Sequence, residues 1–196
     1  MILAGPNGAG KSTLAPRLLA GELGVRTFVN ADVIAQGLAG FDPASAAIEA
    51  GRIMLRRLDE LRRAGADFAF ETTLSGLAHR RTIRRLHDSG YETHLVYLWL
   101  PDPDTAVERV RTRVRLGGHD VPERDVRRRY WRSVANFEIY RRLVTRWLVY
   151  KVASDTGAPP PIIADGAGDE IHEIGDASAW AALQAAAASG PRLGRT

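Results

Sequence analysis

Short apolar runs alternate along the chain with longer stretches of helical periodicity. Residues 1–4 are apolar and end at a glycine-rich loop, and a helix starts at Lys11. Pro16 falls in the second turn of that helix, where its missing N–H and its ring cost up to ~3 kcal/mol. Apolar runs at 27–30, 68–70 and 94–100 each precede a helical stretch. In the first of these stretches Asp42-Pro43 supplies an N-cap oxygen and a first-turn proline, Ile48, Met54, Leu55, Leu58 and Leu61 form the inward stripe, and Gly65 ends it. Ser75 and Gly90 bracket the next helix, with Ile83 and Leu86 inward and Arg80, Arg81, Arg84 and Arg85 mostly outward. Val107, Val110 and Val114 then form one stripe, Gly117-Gly118 break it, and Val126, Tyr130, Val134, Phe137, Val144 and Leu148 form another. This pattern predicts a helical hairpin over 105–150 with an exposed bend. The run 162–164, after Pro159-Pro160-Pro161, suits a fifth strand, 177–188 a terminal helix and 189–196 a loose tail. Alternation of strands and helices predicts an α/β fold, with a five-stranded parallel sheet covered by helices on both faces, as a single domain over 1–188.

Composition narrows the chemistry. The chain has 196 residues, the size of one domain, and contains no Cys, which excludes a disulfide framework, thiolate metal sites and a Cys nucleophile. Neither a basic leader nor a membrane-spanning apolar run is readable, so a cytoplasmic protein without membrane insertion is expected. The net charge of +4 is unevenly spread. Residues 105–150 hold 12 Arg against five acids, leaving the rest of the chain slightly acidic. Only Lys11 and Lys151 are lysines.

Gly5-Pro6-Asn7-Gly8-Ala9-Gly10-Lys11-Ser12 is a phosphate-loop pattern set between an apolar run and a helix. Backbone N–H groups of such a loop, from Gly5 through Thr13, surround the β-phosphate at a helix N-terminus. Lys11 is placed to reach the β- and γ-phosphates, and the Ser12 hydroxyl is a natural Mg²⁺ ligand. ATP or GTP is the expected ligand. A switch, a motor and a kinase all share this loop, so the acids at other strand ends decide between them. Asp32 follows Phe28-Val29-Asn30-Ala31, at the phosphate edge of the sheet, where it can accept a proton from a substrate hydroxyl. Glu71 follows Phe68-Ala69-Phe70 and precedes Thr72 and Thr73, a cluster suited to a polyhydroxylated substrate. For both acids, helix capping or a role around Mg²⁺ is the alternative. Arg109 and Arg113 share one helical face, Arg111 and Arg115 another, and Arg124, Arg127, Arg128, Arg129 and Arg132 follow the bend, so the hairpin reads as an Arg-rich lid of which two or three arginines contact ligand.

The succession GPNGAGKST, NAD, FETTLSG, VYLWL and RVRTRVRLGGHDVPERDVRRRY resembles the short members of the zeta-toxin family of phosphate-loop kinases, some of them labelled only as ABC-type ATPases. The resemblance covers roughly residues 1–150. It implies an ATP-dependent kinase of a UDP-activated sugar such as UDP-N-acetylglucosamine, held inactive by an antitoxin protein. It also implies that Lys11 is the phosphate lysine, Asp32 the catalytic base, Glu71 the substrate-binding acid, and Arg113 and Arg128 (or Arg129) the lid arginines. His119 matches the family's GGH and reads equally as a substrate contact or a solvated loop residue. Two other classes compete. Leu74-Ser75-Gly76 resembles part of an ABC signature, with Asp102 at a Walker B position, but Pro103 stands where the catalytic Glu belongs. The arginines beside Tyr130 and Trp131 also suit a nucleic-acid binder or polynucleotide kinase, although Tyr130 lies on the apolar stripe.

Overall fold

The computed structural model describes residues 1–22, 24–118, 120–152 and 160–190. His119 and most of the 189–196 tail therefore lie outside the described residues. Strand β1 (Ile2–Ala4) leads through the glycine loop into α1 (Lys11–Ala15). Then come β2 (Phe28–Val29), α2 (Ala31–Leu38), α3 (Ala47–Arg63), β3 (Ala69–Thr72), α4 (His79–Asp88), β4 (His94–Trp99) and α5 (Pro103–Arg115). The chain continues with α6 (Glu123–Arg141), β5 (Arg146–Lys151), β6 (Ile162–Ala167), β7 (Glu170–Ile174) and α7 (Ala177–Ser189). The sheet order is β2-β3-β1-β4-β5-β6-β7. From β2 to β5 all neighbours are parallel, and β6 and β7 add an antiparallel hairpin. Because β1 lies between β3 and β4, the loop leaving it opens into the crevice where the strand order reverses, the usual ligand position in such sheets.

The α/β architecture is the expected one, but the sheet has seven strands and is mixed. Five parallel strands are present, yet the fifth is β5 and not the 162–164 run, which becomes part of antiparallel β6. The helical stripe read through Val144 and Leu148 stops at Arg141. Beyond it, Trp147 and Val149 are buried at period two while Arg146 and Leu148 are not, and six residues pair in register with β4. A run of aromatic and β-branched side chains that can reach a sheet edge takes the strand conformation. Strand β7 is exposed at every residue, so no buried alternation marks it in the sequence.

Local boundaries also shift. Pro16 stands where α1 gives way to a π-helical segment, Pro16–Glu22, so the residue without an N–H occupies a junction rather than a regular interior. Asp42-Pro43 lies in a turn closed by Ser45, and α3 begins only at Ala47. Its inward face is Ala50, Met54, Leu58 and Leu61, whereas Ile48 and Leu55 are exposed. Ala46 and Ala50 instead meet Ala35 of α2 in a small cluster apart from the main core. Helix α4 starts at His79 rather than Ser75, with Ile83 and Leu86 buried as expected.

Helix α6 is a core helix. Its Phe137 stacks on Tyr97 of β4 at 4.7 Å and meets Trp147 of β5 and Trp180 of α7 edge-on, while Trp147 and Trp180 stack at 5.6 Å. Aromatic pairs of this kind add ~0.5–1.5 kcal/mol each beyond area burial. At the start of α4 the His79 ring packs 5.0 Å from Phe70, its Nδ1 buried without a hydrogen-bond partner. Burial pushes its pKa down from 6.5 to about 4. The unfolded chain therefore binds a proton here before the native state does. The stability contributed is full above pH 6.5 and falls as pH drops towards 4, by about 3 kcal/mol in all. Urea melts of the wild type and His79→Leu at pH 7 and pH 5 should show a shallower acid loss in the variant. Parallel losses would mean that the ring is protonated in the fold.

Candidate active site at the phosphate loop

The loop between β1 and α1 is built on left-handed glycines, with φ of 145° at Gly5 and 79° at Gly8. Space excludes a side chain at both. A Cβ on Gly5 would run into the Leu98 carbonyl, and one on Gly8 would stand 2.8 Å from the Ala106 carbonyl oxygen and 3.2 Å from Arg109 Cβ. The loop is thus pressed against β4 and α5. The Gly10 carbonyl accepts from the N–H groups of Thr13 and Leu14, which opens α1 with its N-terminal end towards the cavity.

Lys11 is buried. Its Nζ donates to the carbonyls of Gly5 (2.9 Å) and Pro6 (3.0 Å) and lies 3.7 Å from Glu71 Oε1. Burial pulls its pKa down, while Glu71 and then Asp32 push it back up. Glu71, at 9% side-chain exposure, accepts on Oε2 from Ser12 Oγ (3.2 Å) and from Asn30 Nδ2 (2.9 Å). The Asn30 Oδ1 in turn caps α2, accepting from the N–H of Asp32 (2.8 Å) and Val33 (3.4 Å). Asp32, in the first turn of α2, is exposed, and its carboxylate makes no hydrogen bond or ion pair among the described residues. Lys11, Ser12, Asp32 and Glu71 line a cavity of about 620 Å³, which α5 borders with Thr105, Arg109, Thr112 and Arg113 and the bend with Leu116 and Gly118. A Ser hydroxyl and a carboxylate side by side are hard oxygen donors of the kind a phosphate-bound divalent cation takes. Among the described residues no group of three acidic or His side chains could hold a metal alone.

A family model described as an AAA domain matches residues 1–133. The chain belongs to this family. An uncharacterized protein of Haemophilus influenzae is 30% identical to it over 130 residues, which are 66% of this chain and 91% of that protein. A chain of the AvrRxo1-ORF1:AvrRxo1-ORF2 complex with sulphate ions superposes at a TM-score of 0.71 and 19% identity, over 100% of this chain and 65% of its own. The same complex with ATP gives 0.70 and 20%, with the same coverage. A chain of the PezAT toxin-antitoxin system of Streptococcus pneumoniae gives 0.61 and 15%, over 94% of this chain and 83% of its own. The chain thus spans 65% of the AvrRxo1 complex chain it matches. At these identities the likeness concerns the fold, which is the phosphate-loop kinase fold that the motifs resemble.

Within this AAA domain, Asn7, Gly8, Gly10, Lys11, Ser12, Thr13, Asp32, Glu71 and Arg113 all come to the one cavity. Gly5 and Ala9 are buried in the loop itself. Thr72 and Thr73 are not at the cavity. Thr72 Oγ1 accepts from the Leu74 N–H (3.1 Å), and Thr73 Oγ1 bonds Ser75 Oγ (2.9 Å), so both shape the turn after β3. Arg128 pairs with Asp125 (2.9 Å) on α6, away from the cavity lining. His119 lies outside the described residues. The arginine that joins Arg113 is Arg109, one turn earlier on the same face, a spacing already visible in the sequence. Asn30 is the residue that the reading of strand-end acids passes over, although Asn before Ala31-Asp32 is an ordinary N-cap signal.

The close fit around Gly8 makes it a sharp test of the loop. Gly8→Ala should weaken binding of a fluorescent nucleoside triphosphate about tenfold or more and cost roughly 1–3 kcal/mol of stability. Unchanged titrations would show that the loop relaxes away from α5 freely.

Proposed function

We propose that this AAA domain is an ATP-dependent small-molecule kinase that transfers the γ-phosphoryl group to a hydroxyl of an acceptor, with a UDP-activated sugar such as UDP-N-acetylglucosamine as the acceptor class. The observation that carries the reading is the Asp32 carboxylate, which makes no hydrogen bond or ion pair among the described residues and shares a cavity with Lys11, Glu71 and two arginines. Helix capping, the alternative role for Asp32, is already filled by Asn30. Asp32 is thus available as the base. It takes the proton of the acceptor hydroxyl as that oxygen bonds to the γ-phosphorus and the bond to the β-phosphate oxygen breaks. Lys11 exchanges its loop carbonyls for phosphate oxygens, and Arg109 and Arg113 face the charge that develops on the transferred group. Ser12 would hold Mg²⁺, which would supply positive charge to offset that of the phosphates. Glu71 offers its carboxylate oxygens to an acceptor hydroxyl beside Ser12 and Asn30. The ATP-bound AvrRxo1 complex and the PezAT toxin-antitoxin system, both similar in fold, support ATP as donor and an antitoxin as protein partner.

The ABC-type ATPase is the weaker reading, because Asp102 caps α5 through the N–H (2.7 Å) and hydroxyl (2.8 Å) of Thr105. A polyanion surface is disfavoured too. Arg111, Arg115, Arg127, Arg128, Arg141 and Arg142 all form ion pairs with neighbouring acids. No described helix is long and apolar enough to cross a membrane.

Asp32→Asn should bind ATP within about threefold of wild type and lose acceptor phosphorylation by ~10²–10⁴. Phosphorylation at the wild-type rate would remove Asp32 from the mechanism. Incubation with MgATP and a panel of sugar nucleotides, followed by mass spectrometry, should show one acceptor gaining a phosphate. If none does while another hydroxyl compound is phosphorylated, the acceptor class is wrong and the kinase stands.

A further inference from the structure

We propose that Asn30 is the positioning residue of the site, the one side chain that fixes Asp32 and Glu71 relative to each other and to the nucleotide. What the two carboxylates do rests on the kinase reading above. How Asn30 holds them does not.

Asn30 is 8% exposed and both ends of its amide are engaged. Its oxygen accepts from the N–H groups that begin α2 and so sets the backbone carrying Asp32. Its nitrogen donates to Glu71 Oε2 at 2.9 Å. The sheet puts the pair side by side: Val29 is registered with Phe70, so Asn30, just past the end of β2, lies beside Glu71 within β3. An amide is required because the two arms need opposite polarity. Asp would keep the cap but oppose a carboxylate to a carboxylate, and Ser would keep the cap but fall short of Glu71. The other groups facing Glu71 are Ser12 and Lys11 of α1, and both have phosphate or metal partners to move to when nucleotide arrives. Asn30 alone of these three has no such alternative. It keeps Glu71 from following Lys11 and Ser12 towards the nucleotide, and thereby keeps the acceptor side in register with the γ-phosphate.

The test needs no acceptor. Single-turnover phosphate release from MgATP into water and the affinity for a mant-labelled ATP are measured side by side. Asn30→Ser retains the cap, so its affinity should stay within about threefold of wild type while hydrolysis falls about tenfold or more, a split between binding and rate that loss of fold would not produce. Asn30→Asp and Glu71→Gln should each slow hydrolysis. Combined, they restore the hydrogen bond with donor and acceptor exchanged, and the double variant should exceed the product of the single losses by about tenfold. Wild-type hydrolysis in Asn30→Ser, or single losses that simply multiply in the double variant, would reduce Asn30 to a helix cap. A wild type that hydrolyses ATP and phosphorylates no acceptor removes the kinase reading and leaves these comparisons decisive for Asn30.

Discussion

Glu71 carries a buried negative charge at the point where three elements meet: the end of β3, the start of α1 and the residue after β2. A carboxylate so little exposed is costly unless its oxygens are paired, and here two hydrogen-bond donors and a buried ammonium surround it. The arrangement is reciprocal. Burial disfavours the charged form of Lys11, and the nearby Glu71 and then Asp32 work against that shift. The loop carbonyls of Gly5 and Pro6 complete its coordination. Lys11, Glu71, Ser12 and Asn30 therefore partner one another, and a polyphosphate would bind by exchange, taking over partners that the protein supplies to itself. Such exchange makes nucleotide binding and rearrangement around Glu71 one event.

Positive charge is managed differently. The hairpin segment concentrates 12 arginines, and the fold pairs six of them with neighbouring acids. Arg111 and Arg127 share Glu123, Arg115 takes Glu108, and Arg141 and Arg142 share Glu138 and Asp169. These are mostly exposed pairs, each worth roughly 0–1 kcal/mol, so their value lies less in stability than in removing charge from the surface. The arginines that remain directed at the cavity, Arg109 and Arg113, come from α5 alone. Two cavity-lining arginines match the two or three expected from the segment, although Arg128 is not one of them.

Legibility from sequence followed the range of the forces involved. The phosphate loop was readable because its constraints are local: left-handed glycines, a helix start and a lysine at fixed spacing. Asp32 and Glu71 were readable as strand-end acids, since β1, β2 and β3 are parallel and their C-terminal ends must lie at one edge. Strand β5 was not. Val144 and Leu148 continue a helical period, and only pairing with β4 and packing against Trp180 decide that the chain straightens there. Thr72 and Thr73 were misplaced for a similar reason, because the turn that takes their hydroxyls depends on Leu74 adopting a φ of 53°, held by Asn136 of α6 through its carbonyl. Nothing near Leu74 in sequence announces that contact.

The aromatic cluster explains why the two helices of the hairpin have different tasks. Phe137 is clasped by Tyr97, Trp147 and Trp180, and Tyr130 donates to the Leu100 carbonyl at 2.9 Å, so α6 is bound to β4, β5 and α7 along most of its length. Shifting it would break well-packed aromatic contacts in a close-packed interior. Helix α5 buries Ala106, Val107 and Val110, gives way to a bend with the left-handed Gly117, and lines the cavity with Thr105, Arg109, Thr112 and Arg113. Helix α5 packs against the glycine loop at Gly8 and is tied to α6 by the Arg111–Glu123 and Asp104–Arg127 pairs. Arg109 and Arg113 of α5 line the cavity, whereas Arg128 sits on α6 and pairs with Asp125. The same division that makes the hairpin's second helix a poor source of ligand contacts makes its first helix a good one.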